Sequence, residues 1–366
     1  MKKPKIVFYC SWGGFGHVAR SFSIISQLPK EGRYVVATPE DWPFNEPSKN
    51  FHYQKLHKPK SRIRFYGEEL KVQNYIKNAN DTEGYKKHLH QFINLLEKES
   101  PDLVLVDNPA EVSLVSKILG YKTAVMYESL DTDDLRWRMA WKSADILVTP
   151  YTKKFMETIK FPHIEKADCV GGFSRFEANQ DALKTSQKEA KERLGWDLNR
   201  DHIVMTLGKG ETAESLILKI IDNLKTKKEI ILLYPNPGKK IKELESRVSN
   251  LKVTSGVFEE MYLYLAAADF IITGAGYNSV MESFLYRKPT VSIPLSNIYD
   301  EQILKAKALD KMGALKYVNP DKPERINEAL KWLRKEKNKK KMSKAQKEMV
   351  DKKGAKRAAE TLIKNI

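Results

Sequence analysis

The sequence predicts an α/β protein with two doubly wound parallel sheets, and three observations support this fold class. Short β-branched runs alternate with longer helical stretches, which is the order of repeated strand–helix–strand units. Several runs are continuously apolar, as expected for parallel strands covered by helices on both faces. The rhythm occurs twice, and 366 residues are enough for two domains that each bury a core.

The predicted strands form one set in each half of the chain. The first set is Lys5–Cys10, Tyr34–Thr38, Asp102–Asp107, Thr123–Tyr127 and Asp145–Thr149. The second set is His202–Leu207, Glu229–Tyr234, Lys252–Ser255, Asp269–Thr273 and Pro289–Ile293. Phe51–Lys87 is basic, polar and poorly periodic, so we interpret it as an excursion at the rim of the site.

The alternation of strands and helices is interrupted at residues 170–180. A polar, Lys-rich helix is predicted after this interruption, over Asp181–Leu194. We therefore predict an N-terminal domain over residues 1–172 and a C-terminal domain over residues 173–344. Ligands of doubly wound sheets bind beyond the carboxyl ends of the strands. Two such sheets facing each other would share a central cleft, and we expect the chemistry there.

The charge and composition limit the kinds of partner and the cellular compartment that we expect. The formal net charge of +17 favours anionic partners, namely nucleotide phosphates, phospholipid headgroups or nucleic acid. The Lys-rich stretch 331–357 is interpreted first as a solvated helix face and second as a patch that contacts a membrane surface or nucleic acid. No apolar run reaches the roughly 20 residues of a membrane span. Cys10 and Cys169 lie in separate apolar segments, which indicates thiols in a reducing, cytoplasmic setting.

A glycine-rich segment joins the first predicted strand to a helix predicted over Val18–Leu28. It reads Ser-Trp-Gly-Gly-Phe-Gly-His, and it contains Gly13, Gly14, Phe15, Gly16 and His17. Glycines let the backbone approach a ligand closely, and a helix N-terminus offers free N–H groups to an anion. A neutral imidazole at that point can take a proton from a hydroxyl near pH 7. A tight turn with a capping histidine is the alternative interpretation.

A second, polar set of residues follows the predicted strand Asp269–Thr273. The small and polar residues where the next helix begins suit a diphosphate at its N-terminus: Gly274, Gly276, Tyr277, Asn278 and Ser279. Glu282 lies one turn further, where a carboxylate can accept from both hydroxyls of a ribose. Asp300, Glu301 and Gln302 follow the next strand and suit sugar hydroxyls. A ligand-free strand–helix unit explains the glycines but not these polar groups.

At these residues the chain resembles the MurG-type glycosyltransferases. The likeness is carried by Gly-Gly-x-Gly-His after the first strand, the later Gly-rich turn, Glu282, Lys-Pro-x-x-x-Ile-Pro and Glu-Gln. The resemblance implies the GT-B fold, with two Rossmann-like domains, and a hexosyltransferase. Its donor is expected to be a UDP-sugar, which is a substrate rather than a cofactor. The last helix, within residues 345–366, is expected to return to the N-terminal domain.

The resemblance also implies roles for single residues. His17 falls in the acceptor-side glycine loop and is the candidate general base for a displacement that inverts the anomeric centre. Glu282 falls on the ribose-binding glutamate and Gln302 on the amide that contacts the donor sugar. Phe258 and Met261 fall near the position that packs on the nucleobase.

Two further segments can be compared with the MurG pattern, and the chain departs from it in the second. Where the family has a His-Glu-Gln segment, this chain has Glu128, which is expected to face the cleft and is the second candidate base. Where the family has a Gly-Gly-Ser loop, this chain has Gly208, Lys209 and Gly210. These glycines can still approach a diphosphate, and Lys209 adds positive charge.

We expect no metal. Asp131-Thr132-Asp133 resembles the D-x-D metal motif of another glycosyltransferase fold, but acids and a threonine before a helix over Leu135–Lys142 are typical of an ordinary helix cap. GT-B enzymes as a class use helix dipoles and basic groups in place of a bound metal.

Acceptor and location follow from the resemblance and the charge. A phosphate-bearing or lipid-linked acceptor and peripheral contact with the anionic inner membrane face are expected, while nucleic acid ranks lower and stays open. Two alternative functions also stay open. One is sugar transfer to modified DNA bases, and the other is a nucleotide-sugar epimerase of the same fold group, which should gather several acids and a histidine at one buried sugar site.

Overall fold

The computed structural model describes residues 3–12, 15–60, 81–128, 135–161, 163–208, 210–256, 259–295 and 301–366. The chain forms two compact units. The N-unit comprises Met1–Lys153, Phe161–Gly171 and Lys353–Ile366, and the C-unit comprises Lys154–Lys160 and Gly172–Lys352. The last described segment of the chain therefore belongs to the same unit as the first.

Each unit contains one parallel sheet, which confirms the predicted fold class. The N-unit strands are β1 (Lys5–Cys10), β2 (Arg33–Thr38), β3 (Phe51–Lys55), β4 (Leu103–Asp107), β5 (Thr123–Met126), β6 (Ile146–Thr149) and β7 (Ala167–Cys169). The C-unit strands are β8 (His202–Thr206), β9 (Glu229–Leu233), β10 (Leu251–Thr254), β11 (Phe270–Thr273), β12 (Thr290–Ser292) and β13 (Lys316–Tyr317).

Helices follow most of the strands. They are α1 (Gly16–Ile25), α2 (Thr82–Glu99), α3 (Ala110–Ile118), α4 (Leu135–Ser143), α5 (Lys153–Thr158), α6 (Gln180–Lys184), α7 (Gln187–Arg193), α8 (Glu211–Asn223), α9 (Lys239–Arg247), α10 (Met261–Ala267), α11 (Tyr277–Leu285), α12 (Glu301–Lys311), α13 (Ile326–Leu333), α14 (Glu336–Met349) and α15 (Gly354–Lys364). None of the described helices has the length and apolar character needed to cross a bilayer.

The strand orders place a topological switch point in each sheet. The N-unit order is β3-β2-β1-β4-β5-β6-β7, and the C-unit order is β10-β9-β8-β11-β12-β13. Successive strands run outward in opposite directions from the β1/β4 pair and from the β8/β11 pair. Chain segments that leave these strands at their carboxyl ends must therefore diverge, and the crevice between them is where such sheets bind ligands.

The interpretation of Phe51–Lys87 as an excursion is wrong at both ends. Phe51–Lys55 forms β3, which pairs in parallel with β2, and Thr82–Glu99 forms α2. The strand escaped prediction because it lies at the sheet edge, where only Phe51 is buried and polar residues fill the remaining positions. Residues 61–80 lie outside the described residues.

The single helix predicted over Asp181–Leu194 is in fact two. The chain leaves the helical path at Thr185, and the Ser186 side chain accepts a hydrogen bond from the Glu189 N–H to begin α7. Serine is favoured at the N-cap position because its hydroxyl accepts a hydrogen bond from a backbone N–H group that has no partner within the helix.

Gly172 allows the C-unit backbone to pass close to α11 and α14. A Cβ atom at this position would lie 2.5 Å from Met281 Sδ and 2.8 Å from the Met349 carbonyl oxygen. The carbonyl is also bonded to the Gly172 N–H, at 2.9 Å. No side chain can be added there without moving the backbone.

We expect Gly172→Ala to destabilise the C-unit by roughly 1–3 kcal/mol through overpacking. The matched control is Gly276→Ala, because Gly276 has no atom within 4 Å of its Cβ position and a φ of −62°. Chemical denaturation of the two variants measures the difference, and equal stability of the two would contradict the packing argument.

Candidate functional site

Four side chains meet at the switch point of the N-unit sheet. Asp107 is the last residue of β4 and lies beside Cys10, the last residue of β1. His17 lies in the first turn of α1, and Arg20, three residues later, is on the same face. Glu128 follows β5, which pairs with the other edge of β4. We call these four residues the base cluster.

Arg20 joins the members of the base cluster. Its Nε donates to Asp107 Oδ2 at 2.8 Å, and its Nη2 donates to Asp107 Oδ1 at 2.9 Å. The same Nη2 lies 2.8 Å from Glu128 Oε2. His17 Nδ1 lies 3.0 Å from Asp107 Oδ1 and 2.7 Å from Arg20 Nη2. The imidazole is therefore oriented from its Nδ1 side, and Nε2 points away from Asp107.

Burial differs sharply within the base cluster. The side chains of Asp107 and Arg20 are 2% and 3% exposed, whereas those of His17 and Glu128 are 17% and 19% exposed. Burial by itself would raise the pKa of Asp107, but the charges and hydrogen bonds of Arg20 and His17 outweigh it and hold that pKa at about 2. Asp107 is thus a fixed carboxylate that supports a histidine accessible to a ligand.

The base cluster also contains the donor atoms of a cation site. Atoms of His17, Asp107 and Glu128 that can ligate a metal lie within 4.8 Å of one another. The Arg20 guanidinium bridges the two carboxylates of this set. Its positive charge lies between these two carboxylates.

The sequence interpretation found half of the base cluster. It selected His17 and Glu128 but missed Asp107 and Arg20. A signal for both was present, because an Asp ends a buried strand next to β1 and an Arg stands three residues after His17. Of the predicted acceptor-side residues, Phe15 is partly exposed and Gly16 begins α1, while Gly13 and Gly14 lie outside the described residues.

Gln302 links the loops that follow β11 and β12 by hydrogen bonds. Its Oε1 accepts from the N–H groups of Ala275 and Leu295, at 3.2 and 3.1 Å. Because the oxygen is occupied by two backbone donors, the NH₂ group is the part of this amide left to contact a ligand.

The two helix N-termini at the C-unit switch point differ in charge. α11 begins with no acid in its first turn, and Asn278 and Ser279 are half-buried there. The hydroxyl of Thr273, at the end of β11, is buried and has no hydrogen-bond partner within the described ranges. The α11 terminus thus presents N–H groups that have no partner within the helix, together with a buried hydroxyl, which suits an anion.

The N-terminus of α8 is less suited to an anion than that of α11. Its first turn carries Glu211 and Glu214, which offset the positive end of the helix dipole. The Gly210 N–H, predicted to contact a diphosphate, donates instead to the Tyr234 hydroxyl at 3.1 Å. Gly208 is exposed beyond β8, and Lys209 lies outside the described residues.

Glu282 is buried in an ion pair. It is 3% exposed, and Arg175 Nε donates to its Oε1 at 2.9 Å. Burial raises the pKa of Glu282, and the Arg175 charge and hydrogen bond act in the opposite direction. Arg175 also lies over the Phe176 ring, 4.4 Å from its centroid. The other carboxylate oxygen, Oε2, has no hydrogen-bond partner among the described residues.

Comparisons with known proteins show the enzyme class and the fold. Residues 202–362 match the glycosyltransferase family 28 C-terminal domain. Two relatives are the UDP-N-acetylglucosamine--N-acetylmuramyl-(pentapeptide) pyrophosphoryl-undecaprenol N-acetylglucosamine transferases of Clostridium tetani and Staphylococcus aureus. The first is 26% identical and covers 85% of this chain and 84% of its own; the second is 25% identical and covers 79% and 78%. The protein is a glycosyltransferase.

Solved structures share the fold of this glycosyltransferase. Acinetobacter baumannii MurG aligns with a TM-score of 0.64 at 16% identity, covering 99% of this chain and 100% of its own. The glycotransferase of kitacinnamycin aligns with a TM-score of 0.70 at 13% identity, covering 100% of both chains. A putative UDP-N-acetylglucosamine 2-epimerase from Listeria monocytogenes aligns with a TM-score of 0.65 at 14% identity, covering 99% of this chain and 96% of its own. The GT-B fold is therefore clear, and the fold alone does not separate transferases from epimerases.

The remaining predicted donor residues of this glycosyltransferase differ in their burial and contacts. Gly274 and Gly276 lie in the turn before α11, and Met261 is half-buried at the start of α10. The Tyr277 side chain is buried instead of facing the turn, and its hydroxyl accepts from the Phe173 N–H and donates to the Phe173 carbonyl. Glu301 pairs with Lys305 at 3.3 Å. Phe258 and Asp300, like the Asp131–Asp133 segment, lie outside the described residues.

Proposed function

We propose that this glycosyltransferase moves a hexose from a UDP-sugar to an acceptor hydroxyl with inversion at the anomeric carbon, and that His17 is the general base. The contact of His17 Nδ1 with the buried Asp107 carboxylate carries the proposal. An ionised carboxylate on Nδ1 favours the imidazole whose lone pair is on Nε2, and it stabilises the imidazolium that forms when Nε2 takes a proton. The relatives' names supply the UDP-sugar.

The reaction is a single displacement. As His17 Nε2 takes the proton of the acceptor hydroxyl, the acceptor oxygen attacks the anomeric carbon and the bond to the β-phosphate oxygen breaks. The leaving diphosphate gains negative charge, which the N-terminus of α11 is suited to stabilise. The Gln302 amide is expected to donate to the sugar, and Glu282 Oε2 to accept from the ribose.

The proposed acceptor is lipid-linked, as the relatives' names print for their own acceptor. α3 and α4 pack together in the N-unit and expose large apolar side chains: Ile118 is 83% and Met139 is 49% exposed. Lys142 lies on the same helix pair, and the whole chain has a net charge of +17. Exposed apolar groups with basic neighbours suit an anionic membrane surface better than the polar surface of duplex DNA.

We expect His17→Ala to lower kcat by about 10²- to 10⁴-fold, the usual contribution of a general base, with unchanged donor affinity. Steady-state kinetics and calorimetric titration with UDP measure the two effects. NMR of the product should show an inverted anomer. A retained anomer would exclude the single displacement, and near-normal turnover would exclude His17 as the base.

We expect Glu282→Gln to weaken UDP binding by roughly 1.5–3 kcal/mol, because the carboxylate's charge-assisted hydrogen bonds to the ribose are lost. The same substitution should hardly change the binding of 2′,3′-dideoxy-UDP, which lacks those hydroxyls. Calorimetry with both nucleotides separates ribose contact from general damage to the fold. An equal loss for both nucleotides would remove Glu282 from the ribose site.

We expect the protein to sediment with vesicles rich in phosphatidylglycerol and to bind duplex DNA weakly at the same physiological salt. Ile118→Glu should reduce vesicle binding, since it places a negative charge in the apolar part of the contact. Leu198→Glu is the matched control, because Leu198 is also exposed but lies in the C-unit. Binding to DNA without binding to vesicles would reverse this proposal and favour a nucleic-acid acceptor.

A further inference from the structure

Arg20 Nη2 lies near more acceptors than it can serve. Three atoms are within hydrogen-bond distance of this nitrogen: Asp107 Oδ1 at 2.9 Å, Glu128 Oε2 at 2.8 Å and His17 Nδ1 at 2.7 Å. Nη2 carries two hydrogens, and the hydrogen of Nε is already donated to Asp107 Oδ2. One of the three contacts therefore has no hydrogen from Arg20.

The choice of contact decides the tautomer of His17. If both Nη2 hydrogens go to the carboxylates, Nδ1 keeps its own proton and donates it to Asp107 Oδ1 at 3.0 Å. Nε2 then carries the lone pair. If one Nη2 hydrogen goes to Nδ1, that nitrogen must be the acceptor, and the imidazole proton moves to Nε2. An imidazole in the second state cannot take a proton through Nε2.

Glu128 is the group that can settle this competition. The Nε hydrogen holds Asp107 Oδ2 in either case, so the carboxylate of Glu128 is the acceptor that decides whether an Nη2 hydrogen is left for His17. Glu128 reaches Arg20 from beyond β5, on the far side of Asp107 from α1. Glu128 can thus influence the tautomer of the imidazole through Arg20.

We propose that Glu128 is a positioning residue that acts through Arg20: by accepting an Nη2 hydrogen it keeps the guanidinium from donating to His17 Nδ1, so that Nε2 is the nitrogen without a proton. The inference rests on the proposed role of His17 as the base. It replaces the interpretation of Glu128 as a second base with a role one residue removed from the reacting atoms.

The test compares Glu128→Ala with Glu128→Gln in the full-length protein. Alanine removes the acceptor for Nη2, whereas glutamine keeps an acceptor oxygen but cannot serve as a base. Two-dimensional ¹⁵N NMR of histidine-labelled protein at about pH 8.5, where imidazoles are neutral, reports the tautomer directly. The His17 signal is assigned by its loss in His17→Ala.

We expect the Nδ1–H tautomer in the wild type and in Glu128→Gln, and the Nε2–H tautomer in Glu128→Ala. We expect kcat to fall by roughly 10²-fold in Glu128→Ala and by less than about tenfold in Glu128→Gln, with the KM for the donor unchanged in both. Replacing Arg20 by Met in the Glu128→Ala background removes the competing donor and should restore the Nδ1–H tautomer.

Three results would overturn the proposal. They are an Nε2–H tautomer in the wild type, the same tautomer in all the single variants, and equal loss of activity in Glu128→Ala and Glu128→Gln. Since the tautomer is read in the single variants, the result does not depend on whether the Arg20 variant folds. The proposed function fails by a different result, near-normal turnover of His17→Ala, which leaves the tautomer measurement unaffected.

Discussion

The parallel pairing of β1 with β4 is the constraint on which the N-unit site depends. The register that sets Cys10 beside Asp107 brings a carboxylate to the edge where the chain leaves β1 for α1. A different register would shift Asp107 relative to α1, which carries its partners His17 and Arg20. The equivalent pairing of β8 with β11 sets Thr206 beside Thr273 and brings the turn before α11 to the C-unit edge. Both sites therefore arise from the same topological feature.

The members of the base cluster depend on one another electrostatically. A buried carboxylate without a partner is very unfavourable, and so is a buried guanidinium. Asp107 and Arg20 meet this requirement by a bidentate contact, which also fixes both side chains. This contact in turn orients His17, whose Nδ1 lies against both side chains. Glu128 and His17, being more exposed, are the members that a ligand can reach.

The sequence was sufficient for the fold because its signals are local. Continuous apolar runs identified the central strands, and glycines with polar neighbours identified the turns beyond β1 and β11. Contacts between distant positions were not accessible in the same way. Asp107 lies 90 residues from His17, and Arg175 lies 107 residues from Glu282, so only the assembled sheet shows that they meet.

Two other differences between the prediction and the structure come from an edge strand and from a backbone N–H group that already has an internal partner. β3 is poorly hydrophobic because a strand at the sheet edge is covered incompletely, so its pattern resembles that of a loop. Gly210 was a reasonable phosphate contact from its position, but its N–H serves Tyr234. A backbone donor can be counted as available to a ligand only after the internal partners are known.

The return of α15 to the N-unit affects the order in which the protein can be completed during synthesis. α15 packs on α1, the helix that carries His17 and Arg20, and the Arg357 Nε donates to the Val170 carbonyl at 2.7 Å. Residues 353–366 leave the ribosome only after the whole C-unit has been made. The part of α1 that α15 covers therefore stays exposed while most of the chain is translated, and this period is when the nascent chain most needs chaperone protection.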